Sequence, residues 1–133
     1  MEIDEMLFSA AQDAATKSYS PYSKFRVGAA ILCGDGSIVT GTNVENRSFG
    51  LTICAERSAL VAAISAGKRD FRAIAIATPD ADYAVSPCGA CRQVLSEFFP
   101  SDASVQFGNV AENRVHCTIG SLVPFDSLHE LAL

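Results

Sequence analysis

At 133 residues, 49% of them apolar and 19% charged, the chain is long enough to bury one hydrophobic core and too apolar to be disordered. Ten basic residues are scattered among fifteen acidic ones, for a net charge of −5, so nothing in the chain is built to track a phosphate backbone, and no nucleic acid partner is expected. No apolar run approaches the ~20 residues of a membrane span, and the acidic opening Met1-Glu2-Ile3-Asp4-Glu5 lacks the basic region of a secretory signal, so no membrane partner and a cytoplasmic location are expected.

Ile3, Leu7, Ala10 or Ala11 and Ala14 recur at helical spacing and predict an amphipathic helix over residues 3–17. The run Tyr19 to Ser23 breaks it at Pro21, which also restricts Ser20. Phe25, Val27, Ala29 and Ile31 alternate as a strand does, and Gly34-Asp35-Gly36 turns the chain into a second strand over 37–43. A polar loop over 46–53 leads to a helix with Ala55, Ala59, Ala62, Ala63 and Ala66 on its small face, ended by Gly67. Residues 71–77 are nearly all apolar after Arg72 and suit a strand buried on both faces. After a loop at 79–85, a helix runs from the Cys88 region to about Phe99, stopped by Pro100. Short strands near 103–107 and 114–119 follow, and a short terminal helix beyond Pro124 closes the chain.

This order of elements predicts an α/β fold over residues 1–133: a single three-layer domain whose mixed five-stranded sheet carries helices on both faces. Five cysteines are an odd number, and a disulfide framework is the weaker reading of them. So low a charged fraction on a small domain leaves apolar surface for subunit contacts, which suggests an oligomer without counting its subunits.

Two stretches carry the chemistry: Thr52-Ile53-Cys54-Ala55-Glu56-Arg57 and Ser86-Pro87-Cys88-Gly89-Ala90-Cys91-Arg92-Gln93. Thiolates of Cys54, Cys88 and Cys91 are soft ligands for one tetrahedral Zn²⁺, and three protein ligands leave a position for water. Glu56 has the character of a proton shuttle beside that water. Both runs fall at predicted helix starts, where free N–H groups and the helix dipole stabilise thiolates. Arg57 can offset further charge if its guanidinium reaches a ligand sulfur. Residues two apart on a regular helix diverge by ~200°, so Cys54 and Glu56 can serve one site only if Cys54 is the cap. A closed structural zinc site would need a fourth ligand, yet Cys33, Cys117, His116 and His129 sit at no matching spacing. Cys33 and Cys117 read as small buried hydrophobes, and the two histidines carry no assigned role.

Tyr19-Ser20-Pro21-Tyr22-Ser23, Phe25-Arg26-Val27-Gly28-Ala29-Ala30, Asn43-Val44-Glu45-Asn46 and the two cysteine runs occur in one order across most of residues 19–95. Together they resemble the small cytidine deaminase family, nucleoside-salvage enzymes with an all-cysteine zinc site and a Pro-Cys-x-x-Cys run. The resemblance implies a cytidine deaminase fold, a homotetramer whose active sites borrow residues from neighbours, and hydrolysis of cytidine and 2′-deoxycytidine to the uracil nucleosides and ammonia. Hydroxide formed at zinc would attack C4, while Glu56 delivers a proton to N3 and then to the leaving nitrogen. The resemblance further implies that Phe25 packs on the pyrimidine, that Asn43 and Glu45 bond the ribose 3′-hydroxyl, and that Ala55 also contacts substrate. The alternative reading of Phe25 is a core aromatic of its strand, and that of the Asn43/Glu45 pair a solvated strand end. The chain departs from the family at Arg47, at Phe49 where many members have Tyr, and at a compact Pro124-Phe125. Arg47, Phe49 and Phe125 fall where the family makes contacts with neighbouring subunits.

Two other readings remain open at this point. One keeps the chemistry but changes the substrate, to a cytosine antibiotic nucleoside such as blasticidin S or to a base in single-stranded nucleic acid. The other is a zinc-stabilised binding module without turnover. The Asn43/Glu45 pair speaks against the antibiotic, the acidic charge against nucleic acid, and Glu56 against a merely structural metal.

Overall fold

The structure is a computed structural model that describes residues 2–127. Its elements are α1 (Ile3–Ala15), β1 (Gly28–Cys33), β2 (Ile38–Thr42), α2 (Ala55–Ser65), β3 (Phe71–Ala77), α3 (Gly89–Phe98), β4 (Ser104–Val110), β5 (Asn113–Thr118) and α4 (Ile119–Leu122). The five strands form one sheet in the order β2-β1-β3-β4-β5. Only β3 and β4 pair in parallel; the other neighbours are antiparallel, so the sheet is mixed as expected.

Side-chain alternation along β3 divides the core. Ala73, Ala75 and Ala77 join Ala30 beneath Leu7, Phe8 and Ala11 of α1. Ile74 and Ile76 point the other way, into a cluster with Ala55, Ala59, Leu60 and Ala63 of α2 and Leu95 of α3. The predicted three layers are therefore present, with α1 alone on one face. Close approach on each side is secured by a glycine. A Cβ on Gly28 would collide with the backbone of Ala11 and Ala15, and one on Gly41 with the backbone of Ala59.

Element ends depart from expectation for identifiable reasons. Helix α1 stops at Ala15, because the amides of Thr16, Lys17 and Ser18 turn back to carbonyls three residues earlier. Strand β1 begins at Gly28 rather than Phe25, since the amides of Phe25, Arg26 and Val27 bond the side chains of Ser23, Asp80 and Asn43 instead of a neighbouring strand. The loop over 46–53 contains a 3-10 turn at Phe49–Leu51. Ile119 opens α4 instead of ending β5, behind a reciprocal cap between Thr118 and Ser121. Gly67 closes α2 at φ 89°, with its own N–H bonded to Ile64 and that of Lys68 to Ala63. The terminal helix expected beyond Pro124 falls mainly on residues 128–133, outside the described residues, as does His129.

Candidate active site

Two helix starts meet at the carboxyl end of β3. Cys54 caps α2 with extended backbone (φ −71°, ψ 153°), and Cys88 caps α3 in the same way (φ −67°, ψ 162°). Because Cys54 lies outside the helical spiral, it and Glu56 converge on one site, as their spacing demanded. Cys91 sits one turn into α3, where its N–H donates to Cys88 Sγ at 3.5 Å.

The sulfurs of Cys54, Cys88 and Cys91 all lie within 4.8 Å of one another, with Cys88 and Cys91 at 3.3 Å. Zn–S bonds of about 2.3 Å at tetrahedral angles separate sulfurs by about 3.8 Å, so the cluster already has the dimensions of a zinc site. Its donor set of three thiols suits zinc chemically. Arg57 Nη2 donates to Cys54 Sγ at 3.3 Å, the contact anticipated for its guanidinium. The Cys91 thiol and Arg57 stabilise the Cys54 thiolate and hold its pKa well below the usual thiol value. Cys91, which donates to Cys54 and is buried, is pushed up. Metal binding needs all three deprotonated, and a dication supplies the compensating charge.

Glu56 is 5% exposed. Burial raises its pKa, and the nearby Cys54 thiolate adds to the shift. A carboxyl group in that condition exchanges protons nearer neutrality than an exposed one does.

Cys54, Cys88 and Glu56 line a cavity of about 190 Å³ together with Phe25, Asn43 and Ala55. Phe25 is half-buried and belongs to the cavity wall, not to the core. Asn43, 8% exposed, accepts from Val27 N at 3.0 Å and from Ser18 Oγ, and donates to Phe25 O at 2.8 Å. It thereby fixes the segment that carries Phe25. Glu45 is not among the lining residues. Its carboxylate accepts from the N–H groups of Tyr22 and Ser23 at 3.0 and 3.2 Å and from Ser23 Oγ, which lowers its pKa. Arg47, Phe49 and Phe125 are exposed and outside the cavity, Phe49 by 73% and Phe125 by 94%. Phe49 stands edge-on to Tyr22, ring centres 6.0 Å apart.

Sequence reading missed the tie between the cavity walls. Arg26 N and Nε donate to Asp80 Oδ2 at 2.8 and 3.0 Å, and Nη2 donates to Oδ1 at 2.7 Å. This pair joins the Phe25–Val27 wall to the loop that leads to Cys88. Fifty-four residues separate the two, and no local pattern announces such a contact. Val27, Ile76 and Thr78, also unassigned from sequence, belong to the lining as well.

A three-thiol cluster at two helix starts, a buried carboxylic acid and an adjoining cavity define a zinc-dependent hydrolase. Residues 1–108 match the family model described as the cytidine and deoxycytidylate deaminase zinc-binding region. A cytidine deaminase of Halalkalibacterium halodurans is 48% identical over 120 residues, covering 90% of each chain, and one of Sporosarcina psychrophila is 43% identical over 120 residues, 90% of this chain and 88% of its own. The crystal structure of a cytidine deaminase from Burkholderia pseudomallei superimposes with a TM-score of 0.88 at 42% identity, covering 94% of this chain and 98% of that one. The chain belongs to the cytidine deaminase family.

Proposed function

We propose that the protein hydrolytically deaminates cytidine and 2′-deoxycytidine to uridine and 2′-deoxyuridine, releasing ammonia. The observation that carries this reading is Glu56, a buried carboxyl group lining the same cavity as Cys54 and Cys88 of the three-thiol cluster. Zinc, when bound by Cys54, Cys88 and Cys91, supplies a water acidified to near neutrality. Glu56 accepts the proton of the attacking water, delivers it to ring N3, and carries a proton to the departing 4-amino nitrogen. Arg57 holds the Cys54 sulfur and offsets its charge. Phe25 packs against the pyrimidine and Ala55 borders it, both being part of the cavity wall. Asn43, in the cavity wall, and Glu45, two residues on and outside the lining, are the residues we assign to the ribose 3′-hydroxyl. The second N–H of the Asn43 amide and the remaining carboxylate lone pairs of Glu45 are left for it. A carboxylate there repels a phosphate on O3′, and with the net charge of −5 this favours a free nucleoside over nucleic acid.

We read residues 1–133 as one catalytic domain that assembles as a homotetramer. Tyr22, Phe49, Leu51 and Phe125 form or border exposed apolar surface, and Arg47, Phe49 and Phe125 are the residues offered to a neighbouring site. No described helix is long and apolar enough to cross a membrane, and five free thiols suit a reducing cytoplasm.

The test is incubation of purified protein with cytidine, 2′-deoxycytidine and blasticidin S while ammonia is followed, with light scattering to give the assembly mass. Release from the first two is expected. Release from blasticidin S alone overturns the substrate, and release from none leaves a zinc-stabilised binding module. A monomer in solution overturns the tetramer.

A further inference from the structure

The Phe25–Val27 segment has two hydrogen-bonding edges, because successive backbone groups of an extended chain point to opposite sides. One edge belongs to Asn43, which accepts from Val27 N at 3.0 Å and donates to Phe25 O at 2.8 Å. The other edge faces β3, whose ladder with β1 ends at the pair Gly28 and Ala77. Beyond that pair the Thr78 N–H turns to Gly108 O of β4. Arg26 N, on the edge that β3 has left, donates instead to a side chain, Asp80 Oδ2, at 2.8 Å. The Arg26 guanidinium then forks onto both oxygens of the same carboxylate, at 3.0 and 2.7 Å.

Asp80 is a fixed point. Its turn is closed by Ala81 N, which donates to Thr78 O at 3.1 Å, and Asn109 Nδ2 fastens Ala81 O to β4 at 3.1 Å. Ser86 and Pro87, further along the same loop, are held separately by Arg92 of α3. The tie therefore bears on the Phe25 wall and leaves the Cys88 side to other bonds. An ion pair whose side chains are 45% and 27% exposed contributes modestly through charge alone. Its place is what gives it a use. Phe25 and Val27 line the cavity, and Arg26, between them on the alternate face, does not.

We propose that Arg26 and Asp80 are positioning residues for nucleoside binding: they clamp the second edge of the segment and so hold the Phe25 ring where the pyrimidine packs. The inference rests on the nucleoside reading above and adds two residues to it. The pyrimidine lies on Phe25 both as cytidine and as uridine, so the clamp acts on KM and on product affinity more than on kcat.

The experiment measures zinc content, KM and kcat for cytidine, and the Kd of uridine by calorimetry. It compares the unsubstituted enzyme with Asp80→Ala, Asp80→Asn, Arg26→Gln and Arg72→Ala, each at a temperature where circular dichroism shows it folded. Asp80→Ala removes all three bonds and is expected to raise KM and Kd together, roughly two- to tenfold, with zinc content and kcat nearly unchanged. Asp80→Asn, which keeps an oxygen for Arg26 N, should recover part of the affinity. Arg26→Gln loses the fork but not the backbone bond, so it should give a smaller rise, and it serves if Asp80→Ala does not fold. Arg72→Ala breaks an exposed pair with Asp70 at the opposite end of β3 and should move neither constant. In a Phe25→Leu background, Asp80→Ala should add little, since its effect passes through the ring. Turnover by the unsubstituted enzyme with KM and Kd unmoved in Asp80→Ala overturns this inference alone. Full additivity with Phe25→Leu, an equal rise in Arg72→Ala, or a loss of zinc in Asp80→Ala also overturns it. An unsubstituted enzyme that neither turns over cytidine nor binds uridine overturns the nucleoside reading, and this inference with it.

Discussion

Replacing Glu56 by Gln tests the proton-shuttle assignment most directly. The exchange swaps one carboxylate oxygen for an amide nitrogen of similar size, so the packing around a side chain only 5% exposed is preserved. The three sulfurs and the Arg57 contact are untouched. What disappears is a group able to take up and release a proton at the reacting ring. A positioned acid–base residue contributes about 10²- to 10⁴-fold, which corresponds to about 2.7–5.4 kcal/mol of barrier. The upper end applies here, because the burial that raises the Glu56 pKa also keeps bulk water from standing in for it. The expected result is zinc content equal to that of the unsubstituted enzyme by elemental analysis, with kcat for cytidine lower by at least two decades in an ammonia-release assay. Full zinc loading with activity within tenfold of the original refutes the assignment. Loss of zinc alongside activity would show instead that Glu56 supports the ligands.

Arg57→Ala removes the donor at 3.3 Å from Cys54 Sγ and should weaken zinc affinity about 10- to 100-fold in competition with a chelator, while the fold persists by circular dichroism. Phe71→Ala deletes a core ring that is 1% exposed and lies 5.4 Å from the Phe99 ring, and should cost about 3–5 kcal/mol in urea unfolding. The Arg26–Asp80 tie predicts a pH effect with a definite sign. The Arg26 bonds depress the Asp80 pKa below its ordinary 3.8, so the tie stabilises the fold fully above that value and is lost as pH falls through the depressed one. Asp80→Asn should therefore melt lower than the original protein at pH 7, and the two curves should converge in acid. A constant gap across pH would show that charge is irrelevant to the tie.

The parts of this site legible in the sequence are those set by local chemistry. Cysteine spacing picks out the three thiols that cluster to suit a zinc ion, and a Cys two residues before a Glu forces the cap geometry that Cys54 adopts. Hydrophobic runs give the five strands and three main helices, because each run is long enough for its period to show. What stayed hidden depends on partners distant in sequence. The amides of Phe25, Arg26 and Val27 are claimed by side chains rather than strands, so an alternating pattern that reads as β structure begins three residues late. Glu45 alternates with Asn43 around Val44 as expected, but its carboxylate braces the Tyr22–Ser23 turn outside the cavity lining. Thr78 falls between the strand expected at 71–77 and the loop at 79–85, and only the packed structure shows that its hydroxyl is buried without a partner.

The two cysteine runs and the placement of Arg57 answer one electrostatic problem. Three thiolates on Zn²⁺ carry a net charge of −1, and an ionised Glu56 beside them adds another. Left uncompensated at 5% exposure, that carboxylate would stay protonated and could not act as a base. The fold brings three positive features to the same point. The starts of α2 and α3 each present roughly half a positive charge, and Arg57 adds a whole one at the Cys54 sulfur. Together they match the two negative charges in magnitude. The balance explains why both ligand runs open helices, and it separates the roles of two neighbouring residues. Arg57→Ala should shift the acid limb of the cytidine pH–rate profile upward, toward a more reluctant Glu56, whereas Arg57→Lys should return it part of the way. An acid limb that stays fixed in Arg57→Ala would mean that the helix ends alone balance the site.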